Sequence, residues 1–310
     1  MPRGVTIARL YRKNNDWDVG DFVSVYNVIL PTRNMQEHTE MRLCSVAELN
    51  LKKTIECGQC FRWNAEKNSG IDGGSYVGVV RGRVARIFYK GRDVMIECAK
   101  PDYGMWREYF DLDVDYSAIT FGDAGEYFLR CEAFGRGIRI LRQEFWEALC
   151  SFIISQCNNI PRIKGIVENM CARFGEPLAF AGEVYYDFPE ANVIAALSAE
   201  ELAPLRMGYR APYILAAADA CAFGRLDGSL FKSREEAVAG LLALPGVGAK
   251  VASCVMLYGL HDMEGFPIDT WMRRALKTHF PEDFNPKQFG EYAGLAQQYI
   301  FYYARSNNVG

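Results

Sequence analysis

The chain is 310 residues long, half of them hydrophobic and 24% charged, with a formal net charge of −3. No apolar run approaches the roughly 18–20 residues of a membrane span, and the first twenty residues lack a secretory pattern. An intracellular, cytoplasmic protein without a membrane partner is therefore expected. The slight acidic excess counts against nucleic acid as a partner, but Arg130, Arg136, Arg139 and Arg142 fall within thirteen residues whose one acid is Glu132. A basic face can sit on an acidic protein. The ten cysteines lie in apolar stretches such as Leu149-Cys150 and Met170-Cys171, and read as buried free thiols of a reducing compartment.

In chain order, residues 1–42 form an extension with no assignment. Within it, residues 23–30 have the composition of a strand and residues 34–41 that of a polar loop. Residues 43–122 read as an antiparallel β-sheet domain. Residues 76–80, 84–89 and 94–98 are rich in β-branched and aromatic side chains. Arg81-Gly82 and Lys90-Gly91-Arg92-Asp93 separate them as the turns of a meander. From residue 123 to 310 the pattern is helical. Over residues 144–156, Phe145, Leu149, Phe152 and Ile153 recur at helical spacing, with Glu144, Glu147, Ser151 and Ser155 as the wet side. Ile163, Ile166, Val167, Met170 and Phe174 repeat that spacing up to the stop at Gly175 and Pro177. Ser198…Glu201 and Ser233…Glu236 have the spacing of capping boxes. The fold class is α+β in sequential order, a sheet domain and then a larger helical one. Trp63, Trp106 and Trp146 read as core.

Residues 237–260 carry the most chemistry. Helical spacing leads to Leu244, Pro245-Gly246-Val247-Gly248 breaks it, and a second helix starts at once. Gly246 and Gly248 permit a tight hairpin with Val247 turned inward. The amides of the second helix then form a cluster that binds phosphate without reading sequence. A plain packing joint between helices has the same signature. Lys250 tips the balance: a cation in the first turn of a helix is electrostatically misplaced, and Val251, Ala252, Cys254 and Val255 make its neighbourhood apolar. A desolvated lysine there is a usable amine nucleophile, whereas a solvated one is only a phosphate contact. Nineteen residues on, Asp269 in Phe266-Pro267-Ile268-Asp269-Thr270-Trp271 stands where a helix N-cap belongs. A carboxylate there can also stabilise the positive sugar that forms as a glycosidic bond breaks.

At these residues the sequence resembles the helix-hairpin-helix superfamily of DNA glycosylases, specifically the 8-oxoguanine DNA glycosylase/lyase family. Cys57-Gly58-Gln59-Cys60-Phe61-Arg62-Trp63 resembles the family's Gly-Gln-x-Phe-Arg-Trp signature. Residues 142–162 resemble its Asn-rich, DNA-inserting helix end, and Met207-Gly208-Tyr209-Arg210-Ala211 its Gly-Tyr-Arg-Ala element. With the hairpin and Pro267-Ile268-Asp269-Thr270-Trp271, these run in family order from about residue 43 to residue 301.

The resemblance implies a bifunctional enzyme that excises 8-oxoguanine from double-stranded DNA in base-excision repair and then nicks the strand by β-elimination. It acts as a monomer, with no cofactor and no metal. Lys250 would attack C1′, and Asp269 would be its electrostatic partner. Gly58 would offer its carbonyl to the N7–H that distinguishes 8-oxoguanine from guanine. Phe301 and Cys254 would sandwich the flipped base, and Gln297 would bond its Watson–Crick edge. Asn158, Asn159 and Tyr209 would fill or flank the gap in the duplex, and Arg162 and Arg210 would contact the orphaned cytosine. Gly246, Val247 and Gly248 would form the phosphate-binding hairpin. Three positions depart from the family: Cys157 stands where an asparagine begins the run, Trp271 where a histidine is found, and Tyr258 where a methionine is common. Two other readings stay open at this point, a monofunctional alkylated-base glycosylase and a non-catalytic helix-hairpin-helix DNA-binding protein.

Overall fold

Strand alternation builds the first half of the molecule. The computed structural model describes residues 37–66, 74–122 and 124–308, all within one compact unit; the strand read at residues 23–30 lies outside them. Strands β1 (His38–Ser45), β2 (Trp63–Ala65), β3 (Ser75–Val80), β4 (Arg83–Lys90) and β5 (Asp93–Ala99) make an antiparallel sheet in the order β1-β5-β4-β3-β2. The meander is the one expected, each strand one residue longer at one or both ends.

Of the polar loop expected at residues 34–41, residues 34–36 lie outside the described residues and 38–41 are corrected by β1, which draws residues 38–42 of the unassigned extension into the sheet. Its polar side chains fit because β1 is an edge strand. Arg42 pairs with Asp93 at 2.7 Å and Glu40 with Lys90 at 3.2 Å, and charge on an edge discourages pairing with other chains.

The two faces of the sheet meet different cores. On one face Tyr76, Val80, Ile87 and Ile96 pack with Trp63 and with Trp106 of helix α2 (Tyr103–Tyr109), near helix α1 (Leu51–Glu56). Trp63 lies opposite Gly78 in the β2–β3 register. A Cβ on Gly78 would sit 2.2 Å from the indole, so only glycine admits that ring. On the other face Val77, Val79 and Val84 pack against Leu178 and Phe180. Both belong to the hairpin of β6 (Pro177–Phe180) and β7 (Glu183–Tyr186), a two-stranded piece inside the helical half. Covered on both sides, β3 is buried along its whole length.

The helical half runs α3 (Gly125–Gly135), α4 (Phe145–Ile154), α5 (Ile160–Phe174), α6 (Ala191–Ala195), α7 (Ala199–Leu202), α8 (Ala211–Ala222), α9 (Arg234–Leu242), α10 (Ala249–Gly259), α11 (Thr270–His279) and α12 (Ala293–Ser306). Helix α4 is central and packs against α5, α8 and α10. This corrects two of the four positions expected on its wet side: Glu147 and Ser151 are buried by those neighbours, whereas Glu144 is exposed and Ser155 half-buried. Burial pushes the Glu147 carboxyl up to about 8, even though Arg62 works against the shift. The capping box at Ser198 is complete. At Ser233 the hydroxyl caps Glu236 N–H at 3.2 Å, but the Glu236 carboxylate accepts from Lys232 N–H instead. Trp63 and Trp106 are fully buried, and Trp146 is half-buried with its indole N–H on the Pro189 carbonyl at 2.9 Å.

Two segments stitch sheet to helices. Along residues 138–141, Ile138 and Ile140 enter the helical core while Leu141 enters the sheet core. In the signature stretch Phe61 goes to the helical core, and Cys60 and Trp63 to the sheet core. Gly58 lies at this junction, beside both halves.

Candidate active site

The hairpin between α9 and α10 is held by a ring. Gly246 has φ +76, and a Cβ there would meet the Tyr213 ring at 2.2 Å, so both conformation and space require glycine. Val247 is buried, and its amide bonds back to the Leu244 carbonyl at 3.1 Å. Gly248 caps α10 in an extended conformation, and the Ala252 amide reaches the Gly248 carbonyl at 3.0 Å. The amides just before Ala252 fall in the first turn, where a helix has no internal acceptor to offer them. An anion placed there meets both the amides and the positive end of α10.

Lys250 projects from that first turn toward α4. Its Nζ lies 3.3 Å from Ser155 Oγ and 5.3 Å from the centroid of the Phe152 ring, and the residue is half-buried. One turn on, Cys254 is buried under it. Burial pushes the Cys254 thiol up, the Lys250 charge and hydrogen bond pull it down, and the Asp269 carboxylate pushes it up again. The thiol therefore feels an amine and a carboxylate of opposite effect, which places all three in one neighbourhood. Asp269 is the N-cap of α11, and its Oδ1 accepts from Met272 N–H at 2.8 Å. Tyr258 closes this region from below: its ring stacks on Phe152 at 5.2 Å and its hydroxyl meets Gln298 Oε1 at 2.5 Å.

Helix α12 supplies the opposite wall. Gln297 is buried, donates through Nε2 to the Pro267 carbonyl at 3.0 Å, and leaves its Oε1 without a partner among the described residues. A buried acceptor without a donor is costly unless a ligand supplies one. Phe301, one turn further, is half-buried. Gly58 has φ +95, and a Cβ on it would lie 3.1 Å from an Arg305 nitrogen, 3.3 Å from Ile160 and 3.8 Å from the Phe301 ring. Gln59 anchors this loop from inside. Its amide nitrogen donates to the carbonyls of Thr54 (2.9 Å) and Arg139 (2.8 Å), and its oxygen accepts from Leu141 N–H at 2.9 Å. Burial holds Cys57 up at about 11 and raises Cys60 as well, so both thiols stay protonated at neutral pH.

The gap residues sit apart, at the joint between α4 and α5. Asn158 donates to the Ile154 carbonyl at 3.1 Å, and Asn159 caps α5 through Arg162 N–H at 3.0 Å. Cys157 is exposed and left-handed, at φ +46. Tyr209 is 51% exposed and reaches the Gln156 carbonyl at 3.3 Å. Arg210 is buried. Its guanidinium is occupied by the carbonyls of Gln156, Cys157 and Met207, while its plane lies 4.4 Å from the Tyr209 ring. Arg162 is exposed and bonds the Arg206 carbonyl at 3.2 Å.

Lys250, Cys254 and Asp269 thus gather at α10 and the α11 cap, Gln297 ties α12 to Pro267 two residues before that cap, and Gly58 meets Phe301 of α12. Sequence reasoning missed Phe152, Ser155, Ile160 and Arg305. Ser155 had been placed on a wet face, and nothing in a helical period shows that two helices cross there. A separate cavity of about 760 Å³, lined in part by Glu48, Tyr116, Arg139 and Tyr299, holds none of the candidate residues.

With this geometry in view, comparison with known proteins gives a consistent set of relatives. The model of the 8-oxoguanine DNA glycosylase N-terminal domain matches residues 42–149, and that of the HhH-GPD superfamily of base excision DNA repair proteins matches residues 150–292. The chain is 31% identical to "N-glycosylase/DNA lyase OGG1" of Arabidopsis thaliana over 82% of this chain and 77% of that protein. It is 30% identical to the Methanothermobacter thermautotrophicus protein named "Probable N-glycosylase/DNA lyase", over 56% of this chain and 65% of that one. Among solved structures, the Clostridium acetobutylicum 8-oxoguanine glycosylase/lyase, in complex with duplex DNA containing cytosine opposite 8-oxoG, superposes with a TM-score of 0.77. It shares 34% identity over 88% of this chain and 98% of that one.

Proposed function

Because the chain belongs to the 8-oxoguanine DNA glycosylase family of N-glycosylase/DNA lyases, we propose that it excises 8-oxoguanine from duplex DNA and then cleaves the strand through a Schiff base on Lys250. The observation that carries this reading is the setting of the Lys250 ammonium. It lies beside the Phe152 ring, Ser155 and Cys254 in the first turn of the hairpin's second helix, and forms no ion pair among the described residues. An amine not held in an ion pair, in a partly apolar site, is free to act as a nucleophile.

The steps follow from the walls. The hairpin amides of α10 and the exposed Arg162 hold the phosphate backbone and the estranged cytosine, and Tyr209 flanks the space left by the extruded nucleotide. The flipped purine lies between Phe301 and Cys254, where the unmet Oε1 of Gln297 accepts from its Watson–Crick edge and the Gly58 carbonyl accepts from N7–H. The Lys250 amine attacks C1′, the C1′–N9 electrons depart with the base, and the proton shed by the attacking nitrogen balances the one the base takes up. Asp269 opposes the positive charge that builds on the sugar. Ring opening gives the imine, and β-elimination breaks the C3′–O bond to leave the nick. With four of its five N–H donors on three carbonyls, Arg210 chiefly holds the Gln156–Cys157 tip in place, and most of the discrimination of the opposite base falls to the exposed Arg162.

The test is incubation with otherwise identical duplexes carrying 8-oxoguanine, 3-methyladenine or no lesion. Release of 8-oxoguanine with a strand break is expected. Release of the alkylated base without a break would favour the monofunctional reading, and tight binding without release of either base would favour a silent DNA-binding module.

A further inference from the structure

We propose that Arg305 is a positioning residue for the lesion, fixing the Gly58 carbonyl against the Phe301 ring; this rests on the reading of those two residues as contacts of the flipped base. Arg305 lies on the last turn of α12, and its guanidinium makes three contacts at once. One nitrogen donates to the Cys57 carbonyl at 3.2 Å and the other to the Glu56 carbonyl at 2.6 Å, 248 and 249 residues away along the chain. Its plane lies 5.3 Å from the centroid of the Phe301 ring. Those carbonyls end α1, where a short helix has acceptors without helical donors and the negative end of its dipole. A guanidinium answers both needs with fixed, forked donors.

The consequence concerns the next residue. Gly58 follows Cys57 directly at φ +95, and a Cβ on it would lie 3.1 Å from Arg305, closer than from Ile160 or Phe301. The recognition carbonyl is therefore one peptide unit from an anchor planted on the helix that also carries Phe301 and Gln297. Loop and ring belong to opposite ends of the sequence, and Arg305 ties one to the other. By lying over one face of Phe301 it also leaves the other face for the base. Lys250 and Asp269 are held by α10 and the α11 cap, and have no share in this tie.

The separation gives a test that a merely structural role would not pass. In Arg305→Gln, single-turnover excision of 8-oxoguanine opposite cytosine is expected to fall by about 10- to 100-fold, the scale on which a displacement near 1 Å in a contact costs rate. The preference for binding 8-oxoguanine over guanine duplex should fall with it. Borohydride trapping on an abasic duplex, which places no base in the pocket, should stay within about twofold of wild type. Arg305→Lys keeps the charge and can reach one carbonyl, and should recover part of the loss; it also serves should the glutamine variant fail to fold. Equal losses in excision and abasic trapping, or no loss in either, would overturn the role of Arg305. Failure of the wild-type protein to release 8-oxoguanine would instead count against the proposed function.

Discussion

The proposed lesion side and the proposed gap side differ in how far their bonds run along the chain and in how much of each faces solvent. On the lesion side, Arg305 bonds carbonyls 248 and 249 residues away, Gln59 bonds Arg139 across 80 residues, and Gln297 bonds Pro267 across 30. The two glutamine bonds are buried, and one buried acceptor, Gln297 Oε1, stays open among the described residues. On the gap side, Asn158 and Asn159 bond within four residues of themselves, while Tyr209 and Arg210 reach 53 and 54 residues back to the Gln156–Cys157 tip. Its outermost members, Cys157, Arg162 and Tyr209, face solvent. A pocket that must separate two purines differing by one proton position needs fixed acceptors, and chain-wide bonds supply them. A surface that meets a duplex only after it has bent can keep its outermost side chains in solvent and remain adjustable.

If that contrast is right, substitutions on the lesion side cost more. Asp269→Asn keeps the cap, since asparagine caps as well as aspartate, and should melt close to wild type. Excision should still slow on the order of 10²-fold or more, the usual scale for one preorganised charge. Near-normal excision by the folded variant would reduce the carboxylate to a cap. Gly58→Ala forces a Cβ into the space between Arg305 and Ile160 at a left-handed backbone, with about 1–2 kcal/mol of strain. Excision of 8-oxoguanine should fall further than abasic-site cleavage, and an equal fall in both would detach Gly58 from lesion recognition.

On the gap side the effect should be a change of preference. Excision opposite cytosine should exceed that opposite adenine by about 5- to 150-fold, since one good pair of guanidinium contacts discriminates by roughly 1–3 kcal/mol. Arg162→Ala should lower the ratio with nonspecific binding intact. Equal wild-type rates opposite the two bases would break the contrast on this side.

The smallest effect lies outside both sides. The Glu147 carboxyl is held up near 8, so the folded state carries a proton that the unfolded state gives up above its ordinary range. Its contribution is present below that ordinary range and is lost as pH rises toward 8. Glu147→Gln should therefore raise the melting temperature at pH 8 and leave it nearly unchanged at pH 5; the same shift at both would show that the carboxyl does not titrate there.

The sequence was most readable where function is local. The Pro245-Gly246-Val247-Gly248 break, the Asp269 cap and the β-meander all follow from short-range rules about glycine, capping and alternation. What it hid depends on contacts between distant segments. Glu147 and Ser151 occupy helical positions that face water in a two-sided helix, and only the neighbours of α4 bury them. The hairpin at Pro177–Tyr186 was masked by helical surroundings, and β1 by the polar side chains that an edge strand carries. Arg210 shows what a motif leaves out: its place in Gly208-Tyr209-Arg210-Ala211 marks the region, and only packing reveals that four of its five N–H donors bond carbonyls.

The most direct test of the central claim is borohydride trapping on 8-oxoguanine duplex, comparing wild type with Lys250→Gln, which keeps nearly the same length without the amine. Wild type should give a covalent protein–DNA species. The variant should bind the lesion duplex with similar affinity, release no base and give no covalent species. Trapping at wild-type yield in Lys250→Gln would contradict the assignment of Lys250 as the nucleophile.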